Sequence, residues 1–265
     1  MKAYIINTGS LMNDINLTYA HAVQAKRSDP NPPAQWLEVP TYAVLIDHPE
    51  AGWILYDLGS HEKSNEIWPE STVDGCYYVP KEGATMTEQL AVLGLKPSDI
   101  NYVIMSHMHM DHIGNMQLFK DTAEFYVSRA EAANAFLTVC SSPDRTKHGF
   151  YNKPDVLAEV KALHYVDEDC ELFPGIEAII LPGHTPGTMG LIVHLDSKTI
   201  ILTSDALNGR RNYNGQLPGV IADSVSFFKS LEKIKKLEKK YDAEIWFAHD
   251  MEQFNTFKKV PEFYA

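Results

Sequence analysis

Four side chains able to hold a metal ion fall within six residues, His107-Met108-His109-Met110-Asp111-His112, directly behind the short apolar run Tyr102–Ser106. A run of that length and character reads as a strand. The four candidate ligands therefore fall just past a strand end. In an extended stretch His107 and His109 project to one side, because side chains alternate. Asp111 and His112 follow where the chain bends toward a helix and face a second point nearby. Imidazole combined with carboxylate suits Zn²⁺ and similar divalent ions. Six positions cannot close two coordination shells, so the fold has to bring further ligands from far along the chain.

The sequence offers them at loop positions behind other apolar runs. His184 lies in Pro182-Gly183-His184-Thr185-Pro186-Gly187, where Gly and Pro force a turn after Ile176–Leu181. Asp205 ends the run Thr199–Ser204, and His249 follows Ile245–Ala248. All of them can converge on one sheet edge. The chain has 11 histidines. The remaining six, His21, His48, His61, His148, His164 and His194, show no such clustering and read as structural or exposed. His21 and His148 lie in long loops and are weaker candidates for a pocket.

Further strands are expected at Lys2–Asn7, Thr41–Asp47, Trp53–Leu58, Glu124–Val127 and Leu191–Leu195. Thr85-Met86-Thr87-Glu88 is a capping box opening a helix that Gly94 stops. Asp223 or Ser224 caps a longer helix, whose Phe227, Phe228, Leu231, Ile234, Leu237 and Tyr241 make one apolar face. Two segments have the same form, strand, turn, strand, aspartate: Leu45–Asp57 and Leu191–Asp205. They suggest two related halves, about 1–128 and 164–265, with an insert between, in one domain 1–265. Two mixed sheets packed face to face with helices outside is the α/β architecture this order implies. Leu11–Pro40, which holds Pro30, Pro32 and Pro33, reads as a long loop, and Arg129–Leu163 as a short helix followed by a flexible insert.

Composition narrows the function classes. A formal charge of −12 opposes a general nucleic-acid surface, which needs clustered Lys and Arg. Hydrophobic residues at 45% and charged residues at 22% are those of an ordinary globular chain. No apolar run approaches the roughly 18 residues of a membrane span, and the N-terminus does not read as a signal peptide. Cys76, Cys140 and Cys170 are too few and too widely spaced for a disulfide framework, so a reduced, cytoplasmic protein is expected.

The segment His107–His112, taken with His184, Asp205 and His249, resembles the metallo-β-lactamase superfamily in its dinuclear form. Asp57-Leu58-Gly59 resembles the Asp-Thr-Gly strand end common in it. The resemblance implies an αββα sandwich with two divalent ions at one edge, Zn²⁺ before Mn, Fe or Co. It implies His107, His109 and His184 around the first ion, and Asp111, His112 and His249 around the second. Asp205 bridges the two, and Asp57 orients a ligand histidine from behind.

Within the superfamily, the end of the chain from His249 to Ala265 resembles the lactonases that open acyl-homoserine lactones, the quorum-quenching enzymes, or pyridoxolactone. It is too short for the C-terminal helical domain of glyoxalase II. The long N-terminal loop resembles a dimer element of these lactonases. The resemblance implies attack on the ester carbonyl of a small lactone by a hydroxide shared between the ions, with Asp111 shuttling a proton. Acyl-homoserine lactonases typically carry a tyrosine three residues after the bridging aspartate, where this chain has Asn208. Asn208, or Tyr213 farther along the loop, is the expected donor to the carbonyl. Phe150, Tyr151 and Met12 are candidates to line the acyl pocket, and Arg210, with Arg211, to meet a substrate carboxylate. The competing readings are a glyoxalase II-like thioesterase and an iron-dependent persulfide dioxygenase.

Overall fold

The computed structural model describes residues 1–265. Its strands are β1 (Lys2–Asp14), β2 (Trp36–His48), β3 (Gly52–Tyr56), β4 (Cys76–Val79), β5 (Tyr102–Ile104), β6 (Glu124–Ser128), β7 (Ala162–Val166), β8 (Cys170–Phe173), β9 (Ile176–Ile180), β10 (Met189–His194), β11 (Thr199–Leu202) and β12 (Glu244–Trp246). Its α-helices are α1 (Ile15–Thr18), α2 (Ser64–Ile67), α3 (Glu70–Gly75), α4 (Met86–Val92), α5 (Arg129–Cys140), α6 (Lys153–Val156), α7 (Arg210–Tyr213), α8 (Ser224–Tyr241) and α9 (Met251–Thr256). One sheet has seven strands in the order β4-β1-β2-β3-β5-β6-β7, the other five in the order β12-β11-β10-β9-β8. Both are mixed. No helix is long and apolar enough to cross a membrane.

The strands read as unbroken apolar runs because each sheet is covered on both faces. Successive residues of one strand enter different cores. Ala3 and Ile5 of β1 and Leu191 and Val193 of β10 meet between the sheets. Tyr4 and Ile6 point outward to Met86 and Leu90 of α4 and Ala132, Ala135 and Val139 of α5. Ile192 and Ile201 point the other way, onto Phe227, Leu231 and Ile234 of α8. Truncating Leu55, which is 0% exposed, to alanine would cost about 2–5 kcal/mol by opening a cavity in the layer under α4 and α5.

The capping box at Thr85 forms as expected, with Glu88 N–H bonded to Thr85 Oγ1 and the Glu88 carboxylate accepting from Thr85 N–H. Gly94 follows at φ +73°, the left-handed geometry that ends a helix. Asp223 caps α8 through Val225 N–H and Ser226 N–H. Phe228 departs from the expected apolar face: it is 47% exposed, one step around the helix from the buried Phe227.

Leu11–Pro40 is not the single loop expected. β1 runs on to Asp14 and β2 begins at Trp36, with the two strands paired to their ends, Asp14 opposite Trp36. Pro30, Pro32 and Pro33 occupy the connection between α1 and β2, and Pro40 lies within β2 opposite Ser10. The stretch after α5 turns through α6 and enters β7, which spans residue 164 and pairs with β6 in the first sheet. β4, β7 and β8 are only four or five residues long, too short for a periodicity argument to find.

Candidate metal centre

β3 and β5 run parallel, as do β11 and β12, and β9 shares the direction of β11 through two antiparallel steps. Their C-terminal ends therefore meet on one edge. From these ends come Asp57, the segment Ser106–His112, His184, Asp205 and His249. The structure brings all seven expected ligands together. His107, His109 and His184 form one cluster, Asp111, His112 and His249 another, and His107, His112 and Asp205 a third that joins them. Within each cluster the ligand atoms lie within 4.8 Å of one another.

Each ring is turned by a partner on its far side. His184 Nδ1 lies 2.9 Å from the Val220 carbonyl, and His249 Nδ1 2.9 Å from the Pro40 carbonyl. A carbonyl only accepts, so both Nδ1 atoms carry the proton and both Nε2 atoms face the centre. His112 Nδ1 donates to Asp57 Oδ2 at 2.9 Å. His107 Nδ1 is 2.9 Å from Ser106 Oγ, which donates to the same Asp57 oxygen at 2.8 Å. Asp57 Oδ1 accepts from Ser106 N–H at 2.7 Å. The aspartate thus ties down one histidine of each cluster. Ser106 and Ser204, whose hydroxyl donates to Ser106 Oγ at 2.7 Å, were not singled out in the sequence. Only the position of Ser106 directly before His107 hints at a role.

Asp205 stands between the clusters. Its Oδ1 is 3.1 Å from both His112 Nε2 and His249 Nε2, while its Oδ2 is 3.4 Å from His184 Nε2. Asp111 Oδ2 lies 3.5 Å from His112 Nε2 and 3.6 Å from His249 Nε2. Burial holds the pKa values of His107, His109 and His184 below the ordinary imidazole range. Burial also opposes charge on His112 and His249, but Asp111 and Asp205 outweigh it and raise both. The three histidines around Asp205 hold its carboxyl well below the usual range despite its burial.

These residues fit divalent cations. His107 Nε2, His112 Nε2 and Asp205 Oδ1 are buried without any hydrogen-bond partner, which is costly unless something else binds them. His109 Nδ1 and His184 Nε2 approach to 3.0 Å although both rings favour the neutral form. Neutral nitrogens and carboxylate oxygens converging on common points are the donor set of a Zn²⁺-type site.

A cavity opens over the centre. Asn208, Asp111 and the ligand histidines 109, 184 and 249 form its floor, and Leu11, Val39, Trp68, Cys76, Met110 and Phe150 an apolar wall. Several expected pocket residues lie elsewhere. Met12 is replaced by Leu11 and Asn13, its neighbours in β1, because alternation turns Met12 to the other face. Tyr213 points out of the site: its hydroxyl donates to Glu238 on α8 at 2.5 Å. Arg210 lays its guanidinium over the Tyr213 and Phe247 rings, 5.4 and 5.0 Å from their centroids, outside the cavity, and Arg211 covers Tyr19. Tyr151 packs behind His109, ring centroids 4.7 Å apart, while Phe150 reaches the cavity itself. His148 is buried with Nε2 2.8 Å from the Ser142 carbonyl, and His21 is exposed. Asn208 remains at the floor, where its Nδ2 donates to the Thr18 carbonyl at 3.2 Å and its Oδ1 has no partner.

Comparison with known proteins agrees with this geometry. The model of the metallo-beta-lactamase superfamily matches residues 36–247. An N-acyl homoserine lactonase of Bacillus cereus is 30% identical, over 87% of this chain and 89% of that protein. The N-acyl homoserine lactonase AiiB of Agrobacterium fabrum is 26% identical over 99% of both chains. An N-acyl homoserine lactone hydrolase solved with the product N-hexanoyl-L-homoserine at its catalytic metal centre superposes with a TM-score of 0.83. It is 26% identical, covering 99% of this chain and 98% of that one. The chain belongs to the metallo-beta-lactamase superfamily, in the branch that holds the N-acyl homoserine lactonases.

Proposed function

We propose that this protein hydrolyses the ester bond of an N-acyl homoserine lactone, or of a related small lactone, at a centre for two divalent cations, Zn²⁺ first among them. The observation that carries the reading is Asp205, one oxygen directed to each cluster. The lactonases among its relatives, similar over nearly the whole chain, support the substrate class.

Cations bound there would polarise the ester carbonyl and acidify a water toward neutral pH. The chain's own residues do the rest. His107, His109 and His184 would hold one cation, Asp111, His112 and His249 the other, and Asp205 lies between them. Asp57 keeps His112 and, through Ser106, His107 in the tautomer that leaves Nε2 free. Asp111 lines the cavity beside the centre and carries a proton from the attacking water to the departing alcohol of the opened ring. Water adds to the carbonyl carbon, the ring C–O bond breaks, and the product is the hydroxy acid. Asn208 has two N–H groups, and one is held by the Thr18 carbonyl. The other is left for the lactone carbonyl as negative charge develops on it. Leu11, Val39, Trp68, Met110 and Phe150 exclude water and pack an acyl chain.

Acid release from N-hexanoyl homoserine lactone, an S-acyl thioester and a β-lactam, followed at constant pH, tests the reading. Turnover of the lactone above the other two supports it. A preference for the thioester makes the protein a glyoxalase II-like enzyme instead. One iron per chain with oxygen uptake on a persulfide overturns the hydrolase.

A further inference from the structure

Beneath the histidine loops lies a carboxylate that the hydrolytic reading leaves unused. Glu131 stands in the first turn of α5 and is 0% exposed. Its Oε1 accepts from Met108 N–H at 2.9 Å and from the Tyr151 hydroxyl at 3.0 Å. Met108 is the residue between His107 and His109, and the Tyr151 ring backs His109. One oxygen therefore fixes both the backbone that aims two histidines and the ring behind one of them. Asn134, on the same helix, donates to the Tyr151 hydroxyl oxygen at 2.8 Å and completes the support.

The same end of α5 grips the loop that carries His184. Ser128, the helix cap, accepts from Glu131 N–H at 3.1 Å and donates to the Gly187 carbonyl at 2.6 Å. A Cβ on Gly187 would lie 2.2 Å from Glu131 N and from Ser128 Oγ, so only glycine lets the loop come this close. A buried carboxylate is costly, and an apolar side chain would pack against Ala132 and Ala135 more cheaply. The Thr185 side chain and the Gly187 backbone of the His184 loop also face the Glu131 carboxylate and favour its charge. The second cluster is held differently, by Asp57 behind His112 and the Pro40 carbonyl behind His249.

We propose that Glu131 is the positioning residue of the first cluster: the turn it anchors aims His107, His109 and His184 together and sets that cluster's affinity for its cation, without touching cation or substrate. The proposal rests on reading the cluster as a metal site.

Co²⁺ titration of the metal-free, full-length protein, read by visible absorption, tests it in two backgrounds. His249→Ala keeps the first cluster, and His184→Ala keeps the second. In His249→Ala, Glu131→Ala and Glu131→Asp, which withdraws the carboxylate by one methylene, weaken Co²⁺ binding by about 10–100-fold. Glu131→Gln, which keeps an acceptor for Met108 N–H, restores binding to within about threefold of the parent. In His184→Ala all three substitutions stay within about threefold. If circular dichroism shows Glu131→Ala unfolded, the contrast between Glu131→Asp and Glu131→Gln decides alone. Unchanged binding by Glu131→Asp in His249→Ala, or equal losses in both backgrounds, overturns the positioning role. Failure of both parent backgrounds to bind Co²⁺ while they remain folded overturns the metal-centre reading and this proposal with it.

Discussion

The β2–β3 hairpin and the β10–β11 hairpin both lie in the middle of their sheets, and both run out into an aspartate. Asp57 comes one residue after β3, at φ +59°; Asp205 comes three residues after β11, behind Ser204 at φ +45°. In each case a residue other than glycine takes a left-handed conformation, at a cost of roughly 1–2 kcal/mol. The extra two residues decide the outcome. Asp57 stays behind the histidines and collects their Nδ1 protons, directly or through Ser106. Asp205 reaches the Nε2 side and lies between the clusters. Similar strand ends thus supply opposite faces of one centre, and the Ser204–Ser106 hydrogen bond joins them.

That contrast can be broken at several points. Asp205→Asn removes a charge that both clusters share. It is expected to lower bound metal below two per chain and hydrolysis by about 10³-fold or more, over roughly 4 kcal/mol of barrier. The measurement is metal content beside kcat/KM, and full metal with full turnover would contradict the bridging role. Asn208→Ala should come next, lowering kcat by about 10²–10³-fold with metal content unchanged. Equal turnover by this variant and the parent on the best lactone would remove Asn208 from the reaction. Asp57→Asn keeps the shape but presents an amide to the His112 Nδ1–H. A loss of about 10–100-fold is expected, with the fold intact; a loss matching that of Asp205→Asn would erase the distinction between the two hairpins.

Acidification separates the clusters without mutation. The carboxylates that raise His112 and His249 favour a proton there, while burial disfavours one on His107, His109 and His184. In the metal-free protein, falling pH therefore brings protons to His112 and His249 first, and competition with a cation is expected to begin at the Asp111–His112–His249 cluster. Metal content after equilibration at successive pH values should drop in two steps, and activity should follow the first. Loss of both cations together would count against this assignment. The smallest effect is expected from Tyr213→Phe, whose hydroxyl serves Glu238: turnover within about twofold of the parent, as for a surface contact.

Much of the site was legible because its ligands sit in short polar stretches directly behind apolar runs. Alternation and strand ends place His107, His109, His184, Asp205 and His249 without any long-range information. What stayed hidden depends on contacts across the fold. Glu131 looks like any acidic residue in a first helical turn until α5 is seen under the Met108 backbone. Tyr213 looks able to reach the centre, but α7 is followed by the turn into α8, and Glu238 holds its hydroxyl away. The choice of Met12 is off by one position from Leu11 and Asn13, and in a strand one position reverses the face. β4 pairs with the far end of β1, inside the stretch that the prolines of Leu11–Pro40 make look like a loop.

Metal analysis of protein purified without added metal, carried out on the parent and on Asp205→Asn, bears most directly on the claim that Asp205 joins two cation positions. Two divalent cations per chain in the parent, and one or fewer in Asp205→Asn, is the result expected. A single cation in the parent, or two retained in Asp205→Asn with undiminished lactone turnover, would contradict it.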